Sequence, residues 1–101
     1  MKYLVSTTLD NKKNAENLAE KIINAKLGAC VQIVPIKSFY MWKGKMEQTS
    51  EFRLDIKTLA EKYCLLEKLI IHNHTYEVPE IIAVPIVRGY KKYLDWVNKN
   101  G

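Results

Sequence analysis

The stretch Cys30-Val31-Gln32-Ile33-Val34-Pro35-Ile36-Lys37-Ser38-Phe39-Tyr40-Met41-Trp42-Lys43-Gly44-Lys45 decides the fold. Its β-branched and aromatic residues suit a pleated surface, and Lys43-Gly44-Lys45 reads as a turn. A second long segment runs from Met46 to Lys57. Its latter half alternates, with Phe52, Leu54 and Ile56 on one side and Glu51, Arg53, Asp55 and Lys57 on the other. Such alternation marks a sheet with one buried face and one polar face. The two segments predict a long antiparallel hairpin. The first segment reads as one long strand, bent or bulged at Pro35; proline cannot donate to a ladder, so that position should be an edge or a bulge.

Upstream, residues 2–9 are rich in Tyr, Val and Thr and read as a strand. Asp10 and Asn11 offer helix N-caps. Ala15, Leu18, Ala19, Ile22 and Ile23 then recur at helical spacing and form one apolar face. Gly28 stands where a left-handed residue would close that helix. Downstream, Thr58-Leu59-Ala60-Glu61 matches a capping box and predicts a helix through Leu65, Leu66, Leu69 and Ile70, ending near His72-Asn73. Val78 to Val87 is strongly apolar and predicts a fourth strand, central or covered. Tyr90, Tyr93, Leu94 and Val97 mark a C-terminal helix.

The order is β-α-β-β-α-β with a closing helix, an α+β pattern of the ferredoxin-like type. Right-handed crossovers put both long helices on one face of a four-stranded antiparallel sheet. Residues 1–101 form one domain in this reading, since the length suits one core and no segment reads as a linker. Strands usually run about 5–6 residues, so these hairpin strands should project beyond the sheet. Their bare edges call for a partner, and the pattern thus predicts an oligomer built through strands.

Charge and composition narrow the function. The net charge is +5, but the Lys and Arg residues are scattered and form no basic stripe, so nucleic acid is not expected as a partner. The two cysteines, Cys30 and Cys64, form no CxxC motif. No apolar run is long enough for a signal peptide or a membrane span. These readings lead us to expect a soluble cytoplasmic protein with reduced thiols. Cys30-Val31-Gln32-Ile33 is no phosphate-binding loop, and Phe52-Arg53-Leu54 is no RNA-binding sheet motif. No nucleophile, base and orienter come together in the sequence, so no catalytic residues are assigned.

Five segments in order resemble the motifs of the CutA1 divalent-cation tolerance family. They are Leu27-Gly28-Ala29-Cys30-Val31, Ser38-Phe39-Tyr40-Met41-Trp42-Lys43-Gly44-Lys45, Glu51 through Thr58, His74-Thr75-Tyr76-Glu77-Val78-Pro79-Glu80-Ile81, and Tyr93-Leu94-Asp95-Trp96. The resemblance implies a homotrimer of ferredoxin-like subunits, of the architecture shared with the PII signalling proteins. It also implies an association with divalent metals, chiefly copper, and no known catalytic reaction. Thr75 stands where the family motif has proline, Asn73 where some bacterial members have a second histidine, and Ser6 where some have cysteine.

Several residues then become candidates. His74 is either a ligand for a divalent metal such as copper or a hydrogen-bonding residue within a subunit interface. Cys30 is either a thiolate for soft copper or a small core residue. Tyr40, Trp42, Glu51, Lys57, Tyr76 and Glu80 are expected near an intersubunit cleft, where they hold the trimer together, bind a small ligand or ion, or do both. A competing reading is a structural or signalling trimer that acts on a protein partner, with metal binding incidental.

Overall fold

The computed structural model describes residues 1–101. Strand β1 (Lys2–Leu9) leads to helix α1 (Lys12–Asn24). The hairpin follows as β2 (Cys30–Trp42) and β3 (Lys45–Leu59). A short 3₁₀ turn (Ala60–Lys62) enters α2 (Tyr63–Asn73), and β4 (Ile81–Pro85) and α3 (Lys91–Asn100) complete the chain. The sheet order is β2-β3-β1-β4, with every neighbouring pair antiparallel. Each of the two β-α-β crossovers therefore skips one strand, as the ferredoxin-like pattern requires.

One sheet face carries the core. Val5, Leu9, Leu54 and Ile56 meet Ala15, Leu18 and Ile22 of α1 and Leu66 and Ile70 of α2, and all of these are buried. Burying each large aliphatic side chain contributes about 1.5–3 kcal/mol, so this layer is the main attractive term of the fold. Helix α1 starts as its sequence suggests: the Asn11 side chain accepts the Asn14 backbone N–H at 2.8 Å. Helix α3 buries Val97 and packs against β3. The opposite sheet face carries Glu51, Arg53, Asp55 and Lys57, and Tyr93 of α3 lies against it at Cys30.

The hairpin outruns the sheet. β1 pairs with β3 only as far as Leu9↔Phe52, whereas β2 and β3 stay paired out to Trp42↔Lys45. The pairs from Ile36↔Glu51 outward thus form a two-stranded ribbon. At roughly 3.4 Å per residue it reaches more than 20 Å past the sheet, and the chain measures 45 × 25 × 21 Å. Lys43 (φ 51°) and Gly44 (φ 78°) both adopt left-handed backbone. Two such residues make the turn whose twist matches that of the flanking strands.

Four local expectations need correction. The long strand is not bulged at Pro35: the ladder runs on through Pro35↔Phe52, and of the two settings expected for this proline, an edge or a bulge, the structure has the edge, where the missing donor is tolerated. Thr58 starts no helix; it is still in β3, where its hydroxyl donates to the Leu27 carbonyl at 2.8 Å, and α2 begins at Tyr63 without a side-chain cap. The left-handed residue after α1 is Lys26 (φ 58°), not Gly28. Gly28 is needed for space, since a Cβ there would stand 2.9 Å from both Ile22 Cγ2 and Ile56 Cγ2.

The fourth correction concerns β4, which is short and lies at an edge rather than in the centre. Its unbroken apolar run reflects two apolar faces. Ile81 and Ala83 pack on the core, while Ile82 and Val84 lie exposed on the other side.

Candidate functional site

The segment between α2 and β4 builds the site. His74 ends α2 with extended backbone, and the chain turns back toward the tip of β1. The His74 ring is held at both nitrogens. Nε2 donates to the Thr8 carbonyl at 2.7 Å, and Nδ1 accepts the Tyr76 backbone N–H at 3.1 Å. This pair of bonds requires the neutral ring with its proton on Nε2. Burial pushes the imidazole below its ordinary range, although the Thr8 carbonyl, Asp10 and Glu51 pull partly the other way. Thr75 replaces the rigidity of a proline with a hydroxyl directed at Asp10, 3.4 Å away.

These anchors aim Tyr76. Its ring lies 4.9 Å from that of His74, and its phenol donates to Glu51 Oε2 at 2.6 Å. Glu51 sits at the base of the ribbon and is only 6% exposed. Burial first, then the hydrogen bond to Glu51 and its negative charge, pushes the Tyr76 phenol well above its ordinary value. Tyr76 therefore stays protonated and donates to the carboxylate throughout the physiological range.

Around this pair opens a cleft of about 670 Å³. Tyr40 and Trp42 enter from β2, Glu51 from β3, and Tyr76, Glu77 and Glu80 from the α2–β4 segment. Five of the six residues named for an intersubunit cleft line this cleft within a single chain. Lys57 does not; it lies toward the other end of β3, beside Cys30, and its ammonium bonds the Gln32 side chain. His74 acts behind the cleft wall rather than in it. Sequence reasoning missed Thr8, which is buried and lines the cleft through its place at the end of β1. It also missed Phe39 and Glu77, both of which lie inside segments it had singled out.

The residues nominated for metal do not assemble. Cys30 pairs with Lys57, whose other neighbour is Leu4, whereas His74 bonds Thr8 at the opposite end of β1. Tyr93 of α3 lies beside Cys30. No group of three or more His, Cys, Asp and Glu side chains in the chain could hold a metal ion. The departures from the family pattern have other uses. Ser6 donates to Asp55, and Asn73 accepts from Lys21 and donates to the Leu69 carbonyl.

Fold and site together define a class: ferredoxin-like α+β proteins with an overlong hairpin and a cleft at its base. Within that class, residues 3–100 match the CutA1 divalent ion tolerance protein family, and the chain belongs to it. It is 39% identical over 99 residues to the divalent-cation tolerance protein CutA of Archaeoglobus fulgidus, covering 98% of this chain and 97% of that one. The Archaeoglobus structure superposes with a TM-score of 0.96, covering 99% and 98% of the two chains. The chloroplastic CutA of Arabidopsis thaliana is 46% identical, with 96% of this chain covering 54% of that protein. The crystal structure of CutA1 from Oryza sativa gives a TM-score of 0.95 at 43% identity, covering 98% and 92%.

These relatives overturn the expectation of a cytoplasmic protein. The Arabidopsis relative is named chloroplastic, and the Archaeoglobus protein is described as periplasmic. Compartment therefore varies within the family and does not follow from the composition of the folded domain. No helix of the chain is long and apolar enough to cross a membrane.

Proposed function

We propose that residues 1–101 act as one domain of a homotrimeric divalent-cation tolerance protein, whose cleft lies between subunits and takes a small ligand or a divalent ion without catalysing a reaction. The convergence of Tyr40, Trp42, Glu51, Tyr76 and Glu80 on one cleft at the ribbon base carries this reading. The ribbon supports the oligomer. Phe39, Met41 and Met46 are more than half exposed on it, and the outer edge of β2 has no partner within the chain. Three is the number implied by the family resemblance. The names of the relatives support a role in tolerance rather than catalysis.

Copper is the ion the resemblance implies, with His74 and Cys30 as ligands. The geometry sets conditions on that form of the reading. His74 must surrender one of its two hydrogen bonds before it offers a lone pair, and Cys30 would serve a separate, thiophilic site. This engagement of both ring nitrogens favours the second reading, a trimer acting on a protein partner with metal incidental. Calorimetric titration of the purified protein with Cu(II) and Zn(II), alongside His74→Ala and Cys30→Ser, separates the two. Metal affinity lost in either variant upholds the copper form of the reading. Weak binding that is indifferent to both substitutions leaves it without a site.

A further inference from the structure

We infer that the cleft takes an organic cation, an alkylammonium or guanidinium group seated against Tyr40 and Trp42 and facing the carboxylates of Glu51, Glu77 and Glu80. The inference rests on the reading of the cleft as a ligand site and names the chemistry of the ligand.

The sign of the charge comes first. The chain carries 16 Lys and Arg against 11 Asp and Glu, yet the cleft is lined by three glutamates and by no basic residue. The charges lining it are all negative and favour a cation over an anion. Glu51 makes the requirement sharper. It is 6% exposed, it takes part in no salt bridge, and its only bonded partner is the neutral Tyr76 phenol at Oε2. Its other oxygen receives no hydrogen bond from the chain. Thr7 Oγ1 and Thr49 Oγ1 are the buried side-chain atoms without a partner, and this oxygen is not one of them: it is open to the cleft, where no cation of the same chain pairs with it.

The aromatic wall decides what kind of cation fits. Tyr40 and Trp42 are 42% and 38% exposed. Their faces carry the negative side of a ring quadrupole, which attracts cations. Trp42 already meets one from within the chain: the Lys43 ammonium lies 5.8 Å from its ring centroid. A bare divalent ion would gain little from such a wall. Calcium wants about six to eight oxygen ligands, and no three acidic, His or Cys side chains in the chain are placed to hold a metal. An alkylammonium uses both halves of the cleft, carbon against the rings and charge toward the carboxylates. The volume of about 670 Å³ suits a small organic molecule.

The test uses the full chain in its native assembly, in a Trp96→Phe background, so that Trp42 is the sole indole. Tetramethylammonium, guanidinium, the neutral isostere tert-butanol, acetate, Zn(II) and Cu(II) are each titrated while the Trp42 indole N–H resonance is followed. Tetramethylammonium or guanidinium should bind about tenfold more tightly than tert-butanol, the discrimination expected of charge and cation–π attraction together. Glu51→Gln and Glu80→Gln should each weaken the organic cation several-fold, with Glu80→Gln leaving the Tyr76 bond to Glu51 in place. Equal binding of the neutral isostere, or unchanged affinity in both variants, overturns the inference. If the organic cations move nothing while a metal ion or acetate shifts Trp42, this inference fails and the ligand cleft stands. If no probe shifts Trp42, both fall together.

Discussion

Replacing Tyr76 with phenylalanine removes one oxygen and nothing else. The ring stays against His74, the backbone N–H still meets the imidazole, and Glu51 loses its donor. At 2.6 Å, and with Glu51 only 6% exposed, this is a short hydrogen bond to a buried charge. Bonds to charged groups contribute about 1.5–3 kcal/mol, against about 0.5–1.5 kcal/mol for neutral ones. Tyr76→Phe should therefore cost about 2 kcal/mol at neutral pH. In a Glu51→Gln background the same substitution should cost about 1 kcal/mol, because the acceptor is then uncharged. Urea unfolding followed by circular dichroism, at one fixed protomer concentration, measures all four proteins. Equal costs in the two backgrounds would refute the charge-assisted bond between Tyr76 and Glu51.

Further predictions follow from the same geometry. Gly28→Ala should destabilise by about 1–3 kcal/mol through overpacking against Ile22 and Ile56. That penalty should shrink in an Ile22→Ala background, and additive costs in the two backgrounds would show that space is not the constraint. Burial keeps the His74 pKa below the value of about 6.5 it has in the unfolded chain, so the unfolded state takes up the proton first. Stability should consequently fall as pH drops through about 6.5 and level off below the folded pKa. The difference in urea midpoint between the parent protein and His74→Gln, plotted against pH, tests this, and parallel profiles would refute it. Trp42→Ala should weaken the proposed assembly more than the subunit fold. Sedimentation velocity at low protomer concentration should show dissociation with retained circular dichroism, and an unaltered oligomer would count against the ribbon as an interface.

The features that showed through in the sequence were those expressed by periodicity. The alternation of Phe52, Leu54 and Ile56 and the helical spacing of Ala15, Leu18 and Ile22 report burial directly, and the structure places them accordingly. What failed were readings that depend on which residue ends an element. Thr58 looks like a helix cap by type, but tertiary contact with the Leu27 carbonyl keeps it in the strand. Gly28 looks like a backbone device, whereas two methyl groups on distant elements determine its size. For β4, an apolar run can mean a central strand or an edge strand with two apolar faces, and composition does not separate the two.

The site divided in the same way. Tyr40 and Trp42 share a face by alternation, and the resemblance placed Glu51, Tyr76 and Glu80 with them. The bonds that fix His74 come from a carbonyl of β1, and backbone groups leave no mark on side-chain identity. Lys57 sits on the same stripe as Glu51, yet the ladder carries it along the strand, away from the cleft of its own chain.

The sheet order bears on how the chain is made. β1 occupies an inner position, yet both of its neighbours are synthesised long after it: Tyr3 pairs with Thr58 on one side and with Pro85 on the other. On the ribosome, β1 and α1 must wait for β3 before the core can form, and β4 closes the second side later still. Non-local pairings of this kind slow folding and lengthen the time during which strand edges are open. A nascent chain stalled before β4 would present an inner strand, Val5 and all, to any neighbour on the same polysome. Protection of β1 in the cell is therefore a matter of translation speed as much as of final stability.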